Sequence, residues 1–199
     1  MVITYELGSS LYVNITNRCT NRCSFCIRNT AQGVGTGDNL WLEREPTVEE
    51  IIGDIEGHNL SKYKEIVFCG YGEPMMRTLE IVEVCKYVKK KSNLLIRINT
   101  NGHANLTYKK DITPLLEGLV DCISISLNAK NAAEYAEACQ SDYGEEAYHG
   151  MLDFARKCKS YVPRVILTVV DVMSKEDIEQ CREIAKDVGV NFRVRHYNG

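Results

Sequence analysis

The feature that most constrains the fold is an alternation of short apolar runs with amphipathic segments along the whole chain. Strand-like apolar runs recur at Leu11–Ile15, Glu65–Cys69, Leu94–Asn99, Asp121–Leu127, Arg164–Asp171 and Phe192–Arg195. Segments with apolar residues at helical spacing lie between them. Strands that alternate with helices are typical of βα units, in which successive strands pair in parallel. The pattern therefore predicts an α/β protein with a mainly parallel sheet.

The helical segments supply the connections between these strands. Thr47 and Glu50 have the spacing of a capping box, and the helix that they begin has apolar side chains at positions 48, 51, 52 and 55. Further helices are predicted over Leu79–Lys90, Asp111–Gly118, a broken pair within Asn131–Lys159 interrupted near Asp142–Gly144, and Lys175–Val188 before Gly189.

The number of strands limits the architecture. Six predicted strands in 199 residues are fewer than the eight strands, in about 250 residues, of a complete (β/α)8 barrel. We therefore predict a partial (β/α)6 TIM-like barrel in a single domain over residues 1–199, with an open doubly wound sheet as the alternative. The Gly-rich segment Arg28–Pro46 is predicted to be a long irregular loop, either a lid or a surface excursion.

Charge and hydropathy exclude several classes of function. The chain has 24 basic and 27 acidic residues, a net charge of −3 and a pI of about 5.9, which excludes broad binding to nucleic acid or anionic lipid. No apolar stretch approaches the roughly 18 to 20 residues of a membrane span. The first residues lack the basic region and cleavage site of a secretory signal. These observations predict a cytoplasmic protein that does not associate with membranes.

The cysteines separate into one cluster and six scattered residues. Their total of nine is odd, which excludes a fully paired disulfide framework. Cys19, Cys23 and Cys26 follow the first predicted strand, and ligand chemistry in βα barrels collects at the carboxyl ends of strands. We interpret the others as small core residues: Cys69, Cys85, Cys122, Cys139, Cys158 and Cys181. The cluster therefore predicts a metal or redox site.

Three thiols alone leave the kind of site open. A structural zinc site needs four ligands, so it would require a distant residue, because the chain has no second ligand pair. Three thiolates on a cubane iron–sulfur cluster would leave one iron without a protein ligand, and an open coordination position suits catalysis. Arg18, Arg22 and Arg28 either favour the thiolates, since positive charge lowers a thiol pKa, or form a solvated face.

Three motifs resemble those of the radical S-adenosylmethionine (SAM) superfamily. Cys19-Thr-Asn-Arg-Cys23-Ser-Phe-Cys26 resembles the family's CxxxCxxC signature, with the aromatic Phe25 before the last cysteine. Gly70-Tyr71-Gly72-Glu73-Pro74 is similar to the GGEP motif, with Tyr71 in place of the second glycine. Asn99-Thr-Asn101-Gly-His103 resembles the TNG segment. The chain as a whole resembles the small TatD-associated radical SAM proteins.

This resemblance implies a mechanism and a set of site residues. It implies a [4Fe-4S] cluster on Cys19, Cys23 and Cys26, with SAM on the fourth iron. One electron then cleaves SAM into methionine and a 5′-deoxyadenosyl radical, which abstracts hydrogen from the substrate. Gly72 and Glu73 inherit the contact with the methionine amino group. The full set of implied SAM contacts is Phe25, Gly70, Tyr71, Gly72, Glu73, Asn99, Asn101, Ser126 and Asn128.

The fourth predicted strand places its polar side chains on one face. A period of two puts Ser124, Ser126 and Asn128 inside the barrel and the alternating apolar residues against helices. The resemblance implies that Ser126 and Asn128 contact the SAM ribose and carboxylate, and the alternative is that they only fill the barrel. Weaker candidates near the last two strand ends are Thr168, Asp171, His196 and Tyr197.

The implied chemistry also predicts partners. It needs an external reductant such as flavodoxin or ferredoxin, for which the run Lys89–Lys91 is a candidate docking site unless it is only a solvated helix end. The resemblance adds a TatD-type hydrolase as a partner. The short chain favours a protein or peptide substrate, with a nucleoside or small molecule as the alternative. An iron–sulfur electron-transfer module without SAM chemistry and a zinc-stabilised interaction protein stay open as other functions.

Overall fold

The computed structural model describes residues 1–29, 37 and 39–196. In this part of the chain one seven-stranded sheet has the order β1-β2-β3-β4-β5-β6-β7. The strands are β1 (Thr4–Leu7), β2 (Ser10–Val13), β3 (Glu65–Phe68), β4 (Leu95–Thr100), β5 (Cys122–Ser126), β6 (Arg164–Val170) and β7 (Asn191–Arg195). From β2 onward every neighbouring pair is parallel. The sheet is not closed, so the predicted partial TIM-like α/β architecture is confirmed.

The connections agree closely with the helical pattern of the sequence. The α-helices in the described residues are α1 (Val48–Glu56), α2 (Thr78–Lys91), α3 (Ala104–Tyr108), α4 (Ala132–Cys139), α5 (Glu146–Cys158) and α6 (Lys175–Val188). The capping box is confirmed, because Thr47 Oγ1 accepts from Glu50 N and Glu50 Oε2 accepts from Thr47 N. No helix among these residues is long and apolar enough to cross a membrane.

The sequence analysis missed strand β1, so six parallel strands become seven strands in total. β1 pairs antiparallel with β2, and Leu7 lies opposite Ser10 across a two-residue turn. Gly8 in this turn has a φ of 59°, a conformation that glycine adopts without steric cost. A Gly-Ser pair between apolar alternations was the available signal for this hairpin.

The predicted helix Asp111–Gly118 is wrong. The chain instead forms α3 upstream and a short 3-10 helix over Thr113–Leu116. Pro114 has no N–H to donate, and the Asp111 carboxylate accepts from Thr113 N at 3.0 Å. Gly118 then takes a left-handed φ of 67°, which ends the helical path.

The two faces of the sheet differ in polarity. Ile123, Ile125 and Leu127 are fully buried in the apolar core beneath the helices, as the period of two predicted. The intervening side chains of the parallel strands point into the curved sheet, where Ser124 and Ser126 lie. The carboxyl ends of the strands therefore border a polar interior.

The scattered cysteines divide between these two environments. Those on helices α2, α4, α5 and α6 have no exposed surface, as predicted for core residues: Cys85, Cys139, Cys158 and Cys181. The core interpretation is wrong for Cys69 and Cys122, which are only half-buried. Both belong to the inward-facing register of the sheet, which also carries Ser124 and Ser126.

Candidate functional site

The three clustered cysteines lie on the loop after β2, at the carboxyl edge of the sheet. All three thiols are free and half-buried. The loop is bound to the end of α4, because Arg22 N donates to Cys139 O at 2.9 Å and Ser24 N donates to Ala138 O at 3.1 Å. A distant helix therefore determines the path of the backbone between the cysteines.

The protein environment opposes ionisation of these thiols. Burial is the main cause that raises the pKa of Cys19 to about 12, and burial also raises the pKa of Cys26. A hydrogen bond with the Cys139 side chain, followed by burial, raises the pKa of Cys23. Because metals bind thiolates, loading of this site requires release of these protons.

Only one of the three nearby arginines lowers the pKa of the clustered thiols as expected. Arg28 lowers the pKa of all three thiols, though less than burial raises it. Arg18 Nε lies 2.6 Å from Glu45 Oε1, and Arg22 Nη1 lies 2.7 Å from Asp142 Oδ1. These carboxylates compensate the charges of Arg18 and Arg22, so neither is a main influence on the thiols.

The donor set fits an iron–sulfur cluster better than a single metal ion. Among the residues that the structure describes, no three Cys, His, Asp or Glu side chains converge where one ion could bind. A zinc site requires such convergence of its ligands. A cubane cluster takes its thiolates on different irons, so the three thiols need not meet at one point. The geometry therefore gives the zinc alternative no support in the described residues.

A buried hydrogen-bond network joins the cysteine loop to β4 and α4. Thr20 Oγ1 accepts from Asn101 Nδ2 at 2.9 Å and lies 3.0 Å from His103 Nδ1. His103 Nε2 lies 3.0 Å from the Tyr135 hydroxyl, which accepts from Asn21 Nδ2 at 3.1 Å. The network is buried, so its hydrogen bonds hold the loop in one arrangement, although Asn21 Oδ1 has no partner among the described residues.

Sequence reasoning assigned no role to His103 or Tyr135. His103 directly follows the Asn99–Gly102 segment, which is a weak signal that it lies near the site. Tyr135 appears only as an apolar position of an amphipathic helix. Their contacts with the cysteine loop join residues 83 and 114 positions apart, which no local pattern reveals.

We expect His103 to make the stability of the fold depend on pH. Burial lowers the pKa of His103 to about 4, whereas an unfolded chain has the ordinary value of about 6.5. The contribution of His103 to the free energy of unfolding is therefore fully present above pH 6.5 and is lost as the pH falls towards 4. In this range His103 binds a proton in the unfolded chain but not in the folded protein. Between pH 7.5 and pH 5 the expected loss is roughly 2 kcal/mol.

The measurement is urea unfolding of wild-type protein and His103→Gln, without the cluster and under reducing conditions. Glu73 acts with the opposite sign, since burial raises its pKa to about 7 and its contribution falls as the pH rises. Both proteins contain Glu73, so the difference between their unfolding free energies cancels its contribution. We expect this difference between wild type and His103→Gln to become smaller from pH 7.5 to pH 5. An equal difference at both pH values would contradict the role of His103.

The turn Gly70–Pro74 packs directly on the start of the cysteine loop. A Cβ on Gly72 would lie 2.3 Å from Thr16 O and 2.7 Å from Arg18 O. A Cβ on Gly70 would lie 2.0 Å from Asn14 Oδ1. Gly72 therefore requires glycine for close approach to another backbone segment, and Gly70 requires it for close approach to the Asn14 side chain. The turn and the cysteine loop form one structural unit.

The Glu73 carboxylate connects this turn to the end of β4. Glu73 is 6% exposed. Its Oε1 accepts from Thr100 Oγ1 at 2.7 Å and from Met75 N at 2.9 Å, and its Oε2 accepts from Asn101 N at 2.7 Å. The carboxylate thus has three donors within the protein and does not need an ammonium group to satisfy it. Its contact with the SAM amino group stays a prediction.

Tyr71 is accommodated by a small second core. Its side chain is 9% exposed and packs with Tyr5 and Leu40. The Trp41 ring stands edge-on to it at 5.2 Å. Tyr71, which replaces the family's second glycine, therefore packs against the N-terminal hairpin and the loop before α1.

Two of the other predicted SAM contacts lie beside the cysteine loop. Asn101 Nδ2 is 4.0 Å from Cys19 Sγ. Asn128, directly after β5, has a left-handed φ of 56°. The Asn128 side chain hydrogen-bonds with Cys139, yet its Oδ1 is buried without a partner among the described residues. An unsatisfied buried acceptor beside the cysteine loop fits a bound ligand.

The remaining predicted contacts are more distributed. Asn99 Oδ1 accepts from Arg97 Nη1 at 3.0 Å, and Ser126 Oγ accepts from Arg195 Nη2 at 3.4 Å, so both lie on the inner face of the sheet. Phe25 is half-buried against the main core. These positions are compatible with a site at the sheet edge, and their SAM contacts stay predictions.

The weaker candidates have mainly local partners. Thr168 is buried and donates to Ile125 O at 3.3 Å, while His196 Nδ1 lies 2.7 Å from Asp171 Oδ2 on the exposed side. Tyr197 lies outside the described residues. Much of the predicted loop Arg28–Pro46 also lies outside them, so its role as a lid stays a prediction.

The first residue of the predicted reductant-docking run is engaged within the protein. Lys89 Nζ lies 2.5 Å from Asp121 Oδ2. The other two lysines of the run end α2. Docking of a reductant at this helix end stays a prediction.

Comparisons with known proteins agree with this geometry. The chain is similar to tRNA-2-methylthio-N(6)-dimethylallyladenosine synthases of Syntrophomonas wolfei subsp. wolfei (25% identity, 81% of this chain and 35% of the relative) and Desulfitobacterium hafniense (26% identity, 89% and 40%). It thus spans well under half the length of these curated relatives. Streptococcus suis SuiB bound to S-adenosylmethionine has a similar fold, with a TM-score of 0.67, 13% identity and coverage of 94% of this chain and 38% of that one.

The family itself follows from a match over most of the sequence. The model of the Radical SAM superfamily matches residues 13–188, a range that includes the cysteine loop, the Gly70–Pro74 turn and strands β3 to β6. The cofactors of that family are a [4Fe-4S] cluster and S-adenosylmethionine, which the donor set at the sheet edge fits. This chain belongs to the radical SAM superfamily.

Proposed function

We propose that this enzyme cleaves SAM reductively and uses the resulting radical to abstract hydrogen from a substrate. The observation that carries the proposal is the cysteine loop itself. Three free thiols lie at the carboxyl edge of a partial barrel, on a loop held by α4, by the Gly70–Pro74 turn and by a buried network. Such preorganisation is what a cofactor site requires.

The chain's residues divide the tasks of the site. Cys19, Cys23 and Cys26 would hold the [4Fe-4S] cluster, which supplies the electron that divides SAM into methionine and a 5′-deoxyadenosyl radical. Asn101, next to Cys19, and Asn128, with its unpartnered Oδ1, would orient SAM at the cluster. The half-buried loop limits the access of water, since open access would quench a reactive radical.

The substrate and partners belong to the same proposal. A protein or peptide is the first candidate for the substrate. A nucleoside is the second, and the names of the two tRNA-modifying relatives favour it. Membership of the TatD-associated subgroup, a TatD-type hydrolase as partner, and a flavodoxin or ferredoxin as reductant complete the proposal.

The proposal is tested by the fate of SAM. Protein purified without oxygen and reconstituted with iron and sulfide should release 5′-deoxyadenosine when SAM and dithionite are added, as measured by chromatography. The EPR spectrum of the reduced cluster should change on addition of SAM, because SAM binds the fourth iron. A stable cluster with an unchanged spectrum and no released nucleoside would support an electron-transfer module instead.

A further inference from the structure

Two arginines on β7 face the interior of the sheet. Arg193 and Arg195 are two residues apart on one strand and therefore lie on the same face. Arg193 Nη2 donates to Ser124 Oγ at 3.2 Å, and Arg195 Nη2 donates to Ser126 Oγ at 3.4 Å. The two arginines thus form a ladder with two serine hydroxyls of β5, across β6.

This ladder forms no salt bridge with a described carboxylate, although the charge of Arg193 lowers the pKa of Glu65. In the described part of the chain neither guanidinium group forms a salt bridge, and Arg195 Nε is buried with no hydrogen-bond partner. Arg97 is a contrast within the same interior, since its Nη2 lies 2.7 Å from Glu65 Oε1. Arg193 is exposed and Arg195 is half-buried, so the cost of an unpaired charge falls mainly on Arg195.

The titration behaviour of these groups agrees with the geometry. Burial lowers the pKa of Arg193 and of Arg195, and the positive charge of a neighbouring arginine lowers each pKa further. Burial acts on Arg97 in the same direction, but its hydrogen bonds to Glu65 raise its pKa above the ordinary value. An anion beside Arg195 would supply what Glu65 supplies to Arg97.

The ladder extends from the sheet interior to the candidate site. Arg193 lines a cavity of about 410 Å³ near the amino-terminal ends of the strands, together with Arg97, Arg164 and the carboxylates of Glu65 and Asp121. Arg195 lies at the carboxyl end of β7 and contacts Ser126, a predicted SAM contact. A molecule bound near the cysteine loop can therefore reach Arg195 from the same edge of the sheet.

We propose that Arg195, with Ser126 and the neighbouring Arg193, binds an oxyanion of the substrate, either a carboxylate or a phosphate. A guanidinium group presents donors in a planar fork that matches two oxygens of such a group, and its orphaned Nε–H points to the missing acceptor. The Ser126 hydroxyl can rotate to donate to the same anion. The assignment of this oxyanion to a substrate molecule rests on the proposed function.

The test is anion binding to the cluster-loaded protein in anaerobic buffer. Inorganic phosphate and acetate are titrated separately by calorimetry, with chloride at matched ionic strength as the control, and the thermal midpoint is followed in parallel. Wild-type protein should bind phosphate or acetate, and Arg195→Gln should weaken that affinity at least tenfold. Arg195→Lys should retain part of it. The matched control is Arg156→Gln on the exposed surface of α5, which should bind as wild type does.

Misfolding can be separated from loss of the site. In buffer without phosphate or carboxylate, Arg195→Gln should be at least as stable as wild type, because it removes a half-buried charge that has no salt bridge in the described residues. Absence of anion binding in wild-type protein, or equal affinity in wild type and Arg195→Gln, would overturn the proposal. Phosphate and acetate distinguish the two oxyanion classes.

A SAM titration followed by EPR tests whether the bound oxyanion belongs to the substrate or to SAM. The substrate assignment predicts that Arg195→Gln loses more affinity for phosphate or acetate than for SAM. An equal loss for SAM would show that the arginines bind the SAM carboxylate, and the substrate assignment would be wrong. If the anion binds through Arg195 while the EPR spectrum ignores SAM, then the proposed function fails and the oxyanion site stands.

Discussion

Replacement of Cys19, Cys23 or Cys26 by alanine is expected to abolish the cluster and, with it, the cleavage of SAM. Each thiolate would hold a different iron of a [4Fe-4S] cluster, so loss of any one would leave too few ligands to retain it. The measurements are iron and sulfide per chain after anaerobic reconstitution, and 5′-deoxyadenosine after addition of SAM and dithionite. Both should fall to background in each single variant.

The other cysteines provide matched controls. Cys85 and Cys181 are fully buried on α2 and α6, so Cys85→Ala and Cys181→Ala remove a core sulfur without touching the loop. These variants should keep full iron content and SAM cleavage, with a cost of about 1 kcal/mol in unfolding free energy. Retention of the cluster in a clustered-cysteine variant, or its loss in a core variant, would contradict the assignment.

Cys139 gives the sharper distinction between an enzyme and an electron carrier. Its side chain hydrogen-bonds with Cys23, which places it within reach of the cysteine loop. An electron-transfer module needs a fourth protein ligand. The radical SAM assignment predicts that Cys139→Ala keeps its cluster and its EPR response to SAM, whereas loss of the cluster would identify Cys139 as that fourth ligand.

Gly72→Ala is expected to destabilise the protein strongly. The new Cβ would lie 2.3 Å from Thr16 O and 2.7 Å from Arg18 O. Both are backbone atoms, which cannot rotate away, so the turn and the cysteine loop must separate. We expect a loss of about 3 kcal/mol in unfolding free energy, measured in urea, and reduced iron content, because the displaced loop carries the ligands.

Gly53→Ala is the matched control for this substitution. Gly53 lies within α1, and a Cβ there would meet no atom within 4 Å. Alanine is the better helix former by about 0.5 to 1 kcal/mol, so this variant should be more stable than wild type. Equal stability of Gly72→Ala and wild type would show that the predicted contact between turn and loop does not constrain the protein.

Much of the fold could be predicted because its signals are local. The alternation of apolar strands with amphipathic helices depends on side-chain periods of two and 3.6 residues, which are written in adjacent positions. The bounds of α6 and the break between α4 and α5 followed from this pattern and were confirmed. The helix over Asp111–Gly118 failed because Pro114 and the Asp111 side chain override a weak periodicity.

The sequence by itself determined the parallel α/β architecture and the position of three thiols after a strand. Only the tertiary structure decided what holds those thiols and what faces them. The contact of Thr20 with His103, the close approach of Gly72 to Thr16, and the ladder of Arg195 with Ser126 each join residues far apart in the chain. Such contacts arise from the packing of several elements together, so the sequence pattern within any one element does not predict them.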